Sequence, residues 1–151
     1  MKIRDVTTLM LHDPEAMVYQ DATIYPPKPG AKGRSALFVQ IHTDEGITGL
    51  GTTMGIPACR AVIESLREHL IGQDPFCIEK LWTEMFWRVR GFGRKGVAFM
   101  AISALDIALW DLKAKALNQP LYRLLGPYHE SVPVYGSGGW THFSEKELVE
   151  E

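Results

Sequence analysis

The chain has 151 residues, the size of one ordinary domain and too short for a complete eight-fold β/α barrel of about 250 residues. Its 46% hydrophobic and 23% charged residues are globular proportions and exclude disorder along the whole chain. The 16 Lys and Arg against 18 Asp and Glu leave a net charge of −2, which excludes a strong bulk attraction to nucleic acid or anionic membrane.

No apolar run approaches the ~20 residues of a membrane span. Residues 1–5 lack the apolar core of a signal peptide. Cys59 and Cys77 form no metal or redox spacing, and with His42 and His69 they match no zinc pattern. A reduced, cytoplasmic protein without nucleic-acid or membrane partners is therefore expected.

Residues 2–12 and 34–44 read as strands. In the second, Leu37, Val39 and Ile41 alternate with Phe38, Gln40 and His42, the period of a half-buried strand. Asp44-Glu45-Gly46 reads as a turn, and Ile47 to Leu50 as the returning strand of a hairpin. Residues 13–33 form a long connection containing Pro14, Pro26, Pro27, Pro29, Gly30 and Gly33. Loops of that length are usually lids or disordered segments. Tyr19 and Tyr25 offer amphipathic rings there, and Lys28, Lys32 and Arg34 offer cations.

From Pro57, which suits a first helical position, Val62, Ile63, Leu66 and Leu70 share one face up to Gly72. Asp74-Pro75 reads as the start of a second helix with Cys77, Ile78, Leu81, Trp82, Met85, Phe86 and Val89 as its apolar stripe. Arg88, Arg90, Arg94 and Lys95 cluster at its end, where the helix dipole favours cations; no larger basic surface supports a phosphate or nucleic-acid reading. A third helix is expected over Val97–Leu117. Ala98, Ala101, Ile102, Leu105, Leu109, Leu112 and Ala116 make its stripe, yet Phe99, Met100, Ile107 and Trp110 lie outside it. A helix apolar nearly all round belongs in an interior, so a further packing partner is expected. Asp106 and Asp111 are five residues apart, about 140° around the helix, and do not converge. Each is expected to accept hydrogen bonds from nearby backbone or a cation.

Pro120 opens a short helical turn closed by Gly126, and residues 131–135 read as a strand leading into Gly136-Ser137-Gly138-Gly139-Trp140. Ser144 and Glu147 form a capping box for a helix still in progress at Glu151, as in a strand–loop–helix unit cut short.

Ala101-Ile102-Ser103-Ala104-Leu105-Asp106-Ile107-Ala108-Leu109-Trp110-Asp111-Leu112-Lys113-Ala114-Lys115-Ala116, followed by Pro120 to Gly126, resembles the N-terminal signature of the mandelate racemase / muconate lactonizing enzyme family of the enolase superfamily. Thr43 to Gly51 resembles the hairpin of the same family. The departures are Ala114, where many members have Gly, and Pro127, where a second Gly is common.

The resemblance implies an α+β fold. A three-stranded antiparallel meander followed by a helical bundle would form a capping domain over residues 1–129. Residues 130–151 would be the first strand and partial helix of a β/α barrel. It implies Mg²⁺ as cofactor, held by three barrel carboxylates, and barrel bases that remove a proton α to a substrate carboxylate. The metal would stabilise the resulting enediolate. Those groups would lie beyond Glu151, so no catalytic residue and no metal ligand is expected in this chain. Lys113-Ala114-Lys115 has the Lys-x-Lys form of the barrel bases but sits on a capping helix.

What the resemblance carries onto this chain is a substrate lid made of the 17–33 stretch, residues 51–56 and the 136–140 segment. Its expected members are Tyr19, Tyr25, Lys28, Arg34, Thr53, Met54 and Trp140. The implied substrate is a small carboxylate such as an acid sugar, and a homo-oligomer is expected. Dehydration is the leading reaction, with racemase or cycloisomerase action as alternatives. A non-catalytic capping or oligomerisation module is the reading if the chain truly ends at 151.

Overall fold

A computed structural model describes residues 1–18 and 32–151. The elements in chain order are β1 (Ile3–Met17), β2 (Lys32–Thr43), β3 (Thr48–Met54), α1 (Pro57–Leu70), α2 (Ile78–Arg88), a 3-10 turn (Val89–Phe92), α3 (Val97–Ala116), α4 (Leu121–Leu125) and α5 (Glu145–Glu150). The chain divides into two compact units, Met1–Leu11 with Ser35–Pro127, and His12–Arg34 with Tyr128–Glu151.

In the first unit the strands form a sheet of order β1-β2-β3. β2 and β3 are antiparallel, with Ala36 opposite Met54 and His42 opposite Thr48. The turn between them closes with Gly46 at φ 81°, a left-handed conformation that glycine adopts without strain. Leu37, Val39 and Ile41 point inward and are fully buried, as their alternation predicts. They meet Ile63, Leu66 and Leu70 of α1, Leu81 and Met85 of α2, and Ala101, Ala104, Leu105, Ala108, Leu109 and Leu112 of α3.

The alanines let α3 lie directly on β3. A Cβ on Gly49 would run into the carbonyl of Ala108, and one on Gly51 into that of Ala104. The hairpin therefore needs glycine at both positions because the helix backbone occupies the space of a side chain. Aromatic side chains of α2 cover part of the second apolar face of α3. Trp82 stacks on Phe86 at 5.3 Å, and both meet Phe99 edge-on at 6.3 and 6.0 Å. Met100 and Trp110 pack against the core, and Ile107 stays 43% exposed. Most of the expected demand for another partner is met within the domain.

Three boundaries differ from expectation. β1 runs on to Met17 through Pro14, which an edge strand tolerates because its outward N–H needs no partner. β3 extends to Met54, so residues 51–54 are strand rather than loop; pairing with Ala36–Val39 holds them. α2 begins at Ile78 rather than at Asp74-Pro75. The Asp74 side chain instead accepts the Phe76 N–H at 2.9 Å, closing a turn ahead of the helix.

The second unit contains the remaining difference. Residues 132–140 form no sheet ladder, and Tyr135 is 88% exposed. β-propensity alone makes no strand; a neighbour must supply the ladder bonds. In this unit Lys32 Nζ pairs with Glu15 at 2.7 Å, and the expected capping box opens α5. Ser144 Oγ accepts from the Glu147 N–H and the Glu147 carboxylate from the Ser144 N–H.

Candidate functional site

Among the expected lid residues, Thr53 and Met54 are adjacent at the end of β3. Thr53 stands opposite Leu37, and Met54 opposite Ala36. The chain leaves the strand tightly. The Gly55 N–H donates to Ser35 O at 3.0 Å and the Ile56 N–H to Met54 O at 2.7 Å. A Cβ on Gly55 would run into Ser35. This exit leaves Thr53 half-buried and Met54 61% exposed at the strand tip.

Arg34 lies near the start of β2, exposed, within the second unit. Trp140, also of the second unit, is half-buried ahead of α5, and its carbonyl accepts the Phe143 N–H at 3.0 Å. Tyr19, Tyr25 and Lys28 lie outside the described residues. Lys32, the other cation of the long connection, is occupied by Glu15.

Several charged groups of the first unit have structural partners. Asp111 accepts the Leu50 N–H at 2.7 Å and pairs with Lys115 at 2.7 Å; Lys115 also reaches Thr48 O at 3.0 Å. Two side chains of α3 thus satisfy the outer edge of β3, a row of groups otherwise left unpaired. Lys113 lies over the Trp110 ring at 5.1 Å and the Phe76 ring at 5.9 Å. The Lys-x-Lys of α3 is accordingly engaged in packing.

Arg94 is drawn onto the aromatic cluster, its Cζ 4.2 Å from the Phe86 centroid and 4.4 Å from that of Trp87. His42 bridges the sheet, with Nε2 2.8 Å from Thr7 Oγ1 and Nδ1 3.1 Å from Thr48 Oγ1. That bridge gave no signal in the sequence beyond the outward position of His42.

Two carboxyls are shifted in opposite directions. The hydrogen bond from Arg67 holds Asp5 below the ordinary carboxylate value, helped by the Val6 N–H. Burial raises Asp106, and the nearby Glu79 charge adds to the rise. Burial also raises the Cys59 thiol, which leaves less of the reactive thiolate.

Among the described residues no group of three His, Cys, Asp or Glu side chains could hold a metal ion. These residues do not fit the Mg²⁺ that the family resemblance implies, and no chemical step through a metal is assigned to them. An open cleft of about 600 Å³ between α1 and α2 is lined by Glu68, His69, Gln73, Thr83, Glu84, Trp87 and Arg88. It contains none of the expected lid residues. No described helix is long and apolar enough to cross a membrane.

Comparison with known proteins places this architecture. The N-terminal domain model of the mandelate racemase / muconate lactonizing enzyme family matches residues 27–126. The chain is 46% identical over 105 residues to 3,6-anhydro-alpha-L-galactonate cycloisomerase of Streptomyces coelicolor, covering 66% of this chain and 29% of that protein. It is 38% identical over 111 residues to L-talarate/galactarate dehydratase of Salmonella typhimurium, covering 70% of this chain and 28% of that protein.

The crystal structure of that dehydratase, liganded with Mg and L-lyxarohydroxamate, superposes with a TM-score of 0.86 at 32% identity, covering 99% of this chain and 40% of the other. The chain thus spans less than a third of the length of these curated relatives. With a family match that includes β2, β3 and α1 to α4, the chain belongs to the mandelate racemase / muconate lactonizing enzyme family of the enolase superfamily, whose N-terminal domain it matches.

Proposed function

We propose that this chain is the capping and substrate-lid portion of a Mg²⁺-dependent, cytoplasmic, homo-oligomeric acid-sugar dehydratase. Residues 1–129 form the cap, and residues 130–151 open a β/α barrel. The reaction removes the proton α to the substrate carboxylate and expels the β-hydroxyl as water. The bases and the metal would belong to the barrel. This chain contributes binding and closure. Lys28 and Arg34 would pair with carboxylate oxygens, Tyr19 and Tyr25 would cover the sugar, and Thr53, Met54 and Trp140 would wall the pocket and exclude water.

The observation that carries the proposal is the match of nearly the whole chain to a dehydratase captured with Mg and an acid-sugar analogue. A cycloisomerase is the second reading, favoured by the 46% identity to such an enzyme.

The full-length enzyme tests both readings, assayed with Mg²⁺ on acid sugars and on their lactones. Loss of water from an acid sugar supports the proposal. Lactone opening or closure without loss of water, read by NMR, supports the cycloisomerase. A folded, Mg²⁺-loaded full-length enzyme that turns over neither overturns both, as does turnover by the 151-residue chain alone.

A further inference from the structure

We infer that the turn between α2 and α3 is a further substrate-reading element, in which Arg94, backed by Lys95, binds the second carboxylate of a sugar diacid. The inference rests on the acid-sugar reading above and narrows its substrate class from acid sugars in general to diacids.

The turn lies at the end of the domain that presents Thr53 and Met54. Gly51 faces Ala104 and Gly49 faces Ala108, so α3 runs antiparallel to β3. From Ala104 back to Val97 the helix spans about 10 Å, as does the strand from Gly51 on to Met54, which sets Val97 level with Met54. Cys59 Sγ donates to the Val97 carbonyl at 3.8 Å and fastens this end to the first turn of α1. Phe86 meets Phe99 at 6.0 Å, so the last turn of α2 arrives at the same place.

This end of the domain is electropositive. Between Glu84 and Asp106 the sequence has Arg88, Arg90, Arg94 and Lys95 and no acid. None of the four forms an ion pair among the described residues. α3 opens with no side-chain cap and no acid in its first turn, so its dipole adds to the cations.

Arg94 has the geometry of a carboxylate receptor. The Phe86 and Trp87 rings hold its guanidinium in place. Nε and Nη2 are buried and meet no acceptor among the described residues. These two nitrogens form one edge of the guanidinium and offer parallel N–H groups, the fork that matches the two oxygens of a carboxylate. Donors shielded from water and left unmet are unfavourable, which favours an anion that meets both. The turn also has room for one. Gly93 and Gly96 flank the pair at φ 91° and 58°, and a Cβ on either would meet nothing within 4 Å. Lys95 is exposed beside Arg94.

A sugar diacid loses the proton α to one carboxylate and carries a second at its far end, where a monoacid ends in a hydroxymethyl group. A hydroxymethyl group has no charge for the cluster and cannot fill the fork, so Arg94 separates the two classes.

The full-length enzyme, assayed with Mg²⁺ on a hexose-derived diacid and on the matching monoacid, tests the inference. The wild type should prefer the diacid. Arg94→Gln should lower the diacid-to-monoacid ratio of kcat/KM roughly 10- to 100-fold, with the change carried by KM. Arg94→Lys keeps the charge but loses the fork and should fall between. Lys95→Gln alters an exposed side chain and should lower the same ratio even if the Arg94 variants fail to fold.

Equal losses on the two acids would assign Arg94 to packing, or to a carboxylate of another segment of the protein, and overturn the inference while the dehydratase reading stands. An unchanged ratio in every folded variant, or a wild type that prefers the monoacid, does the same. Turnover of neither acid overturns the dehydratase reading and this inference with it.

Discussion

The Leu50 N–H points out of the sheet edge and donates to Asp111 at 2.7 Å, fastening β3 to α3 through one carboxylate. The same carboxylate holds Lys115, which in turn takes the Thr48 carbonyl on that edge. A donor, an acceptor and an ion pair at i,i+4 therefore close the end of the sheet. Asp111→Ala removes the acceptor from Leu50 and releases Lys115. The expected cost is about 1–3 kcal/mol in urea unfolding. Asp111→Asn can still accept from Leu50, so it should cost less. Equal losses for the two variants would show that the Leu50 bond contributes nothing.

The contact of α3 with β3 also rests on glycine. Gly51→Ala sets a methyl against the Ala104 carbonyl, part of a helix backbone that cannot turn aside. The expected loss is ~3 kcal/mol or more, at the upper end for overpacking, read as a drop in soluble yield and melting temperature. Gly46→Ala is the control. It meets nothing within 4 Å but must hold φ 81°, so it should cost only about 1–2 kcal/mol. If Gly51→Ala were the milder of the two, the close approach would not be what glycine is there to permit.

These two relationships show where sequence reading succeeds. Alternation along Leu37–Ile41 marks a buried strand face because burial on one side imposes a period of two. The Ser144–Glu147 box and the Asp44-Glu45-Gly46 turn are local and read directly. Asp111 was legible as a hydrogen-bonded carboxylate, though its partner, 61 residues away, was not. The extra length of β1 escaped because nearly all of it is exposed and the alternation fades; that of β3 escaped because its inward positions are Gly51 and Thr53, which carry no apolar period. The 131–135 segment has strand-forming residues without a neighbour. Of the described residues of the candidate site, only Thr53 and Met54 have a local geometry that follows from the hairpin.

The lid proposal makes a kinetic prediction for the full-length enzyme. On that proposal Arg34→Ala and Lys28→Ala would each remove a charge-assisted hydrogen bond to the substrate carboxylate. Such bonds are worth about 1.5–3 kcal/mol, so kcat/KM should fall roughly 10- to 100-fold. Most of the fall should appear in KM if the contact is made equally in the ground and transition states. Unchanged kinetic constants in both variants would remove these cations from the substrate site.

Asp5 and Arg67 predict how acid acts on the fold. The Asp5 value is lowered, chiefly by the Arg67 hydrogen bond. The contribution is therefore fully present above the unfolded carboxylate value of about 4 and is lost as pH falls through the lower folded value. The pair is partly exposed, so its worth is on the order of 0.2–1 kcal/mol. The stability gap between wild type and Asp5→Asn should be constant from neutral pH down to about pH 4 and close below it. A gap that persists in stronger acid would mean that the carboxylate charge is not what Arg67 binds.

Asp106 carries the opposite sign. Its value is raised, first by burial and then by Glu79, so the folded state holds the proton more tightly than the unfolded chain. That contribution is fully present below the unfolded value of about 4 and is lost as pH rises through the higher folded value. At neutral pH the ionised carboxylate is a half-buried charge next to a like charge. Asp106→Asn keeps the shape and removes that charge, so it should raise the melting temperature at neutral pH, by an increase on the order of a few degrees. The advantage should shrink as pH falls through the raised value and level off below about 4. Glu79→Gln should remove the smaller cause and move the titration of Asp106 part of the way back toward its ordinary value, followed by NMR of the carboxyl carbon. An Asp106→Asn variant less stable than wild type at neutral pH would show that the ionised group makes a bond the fold depends on, and would reverse the sign argued here.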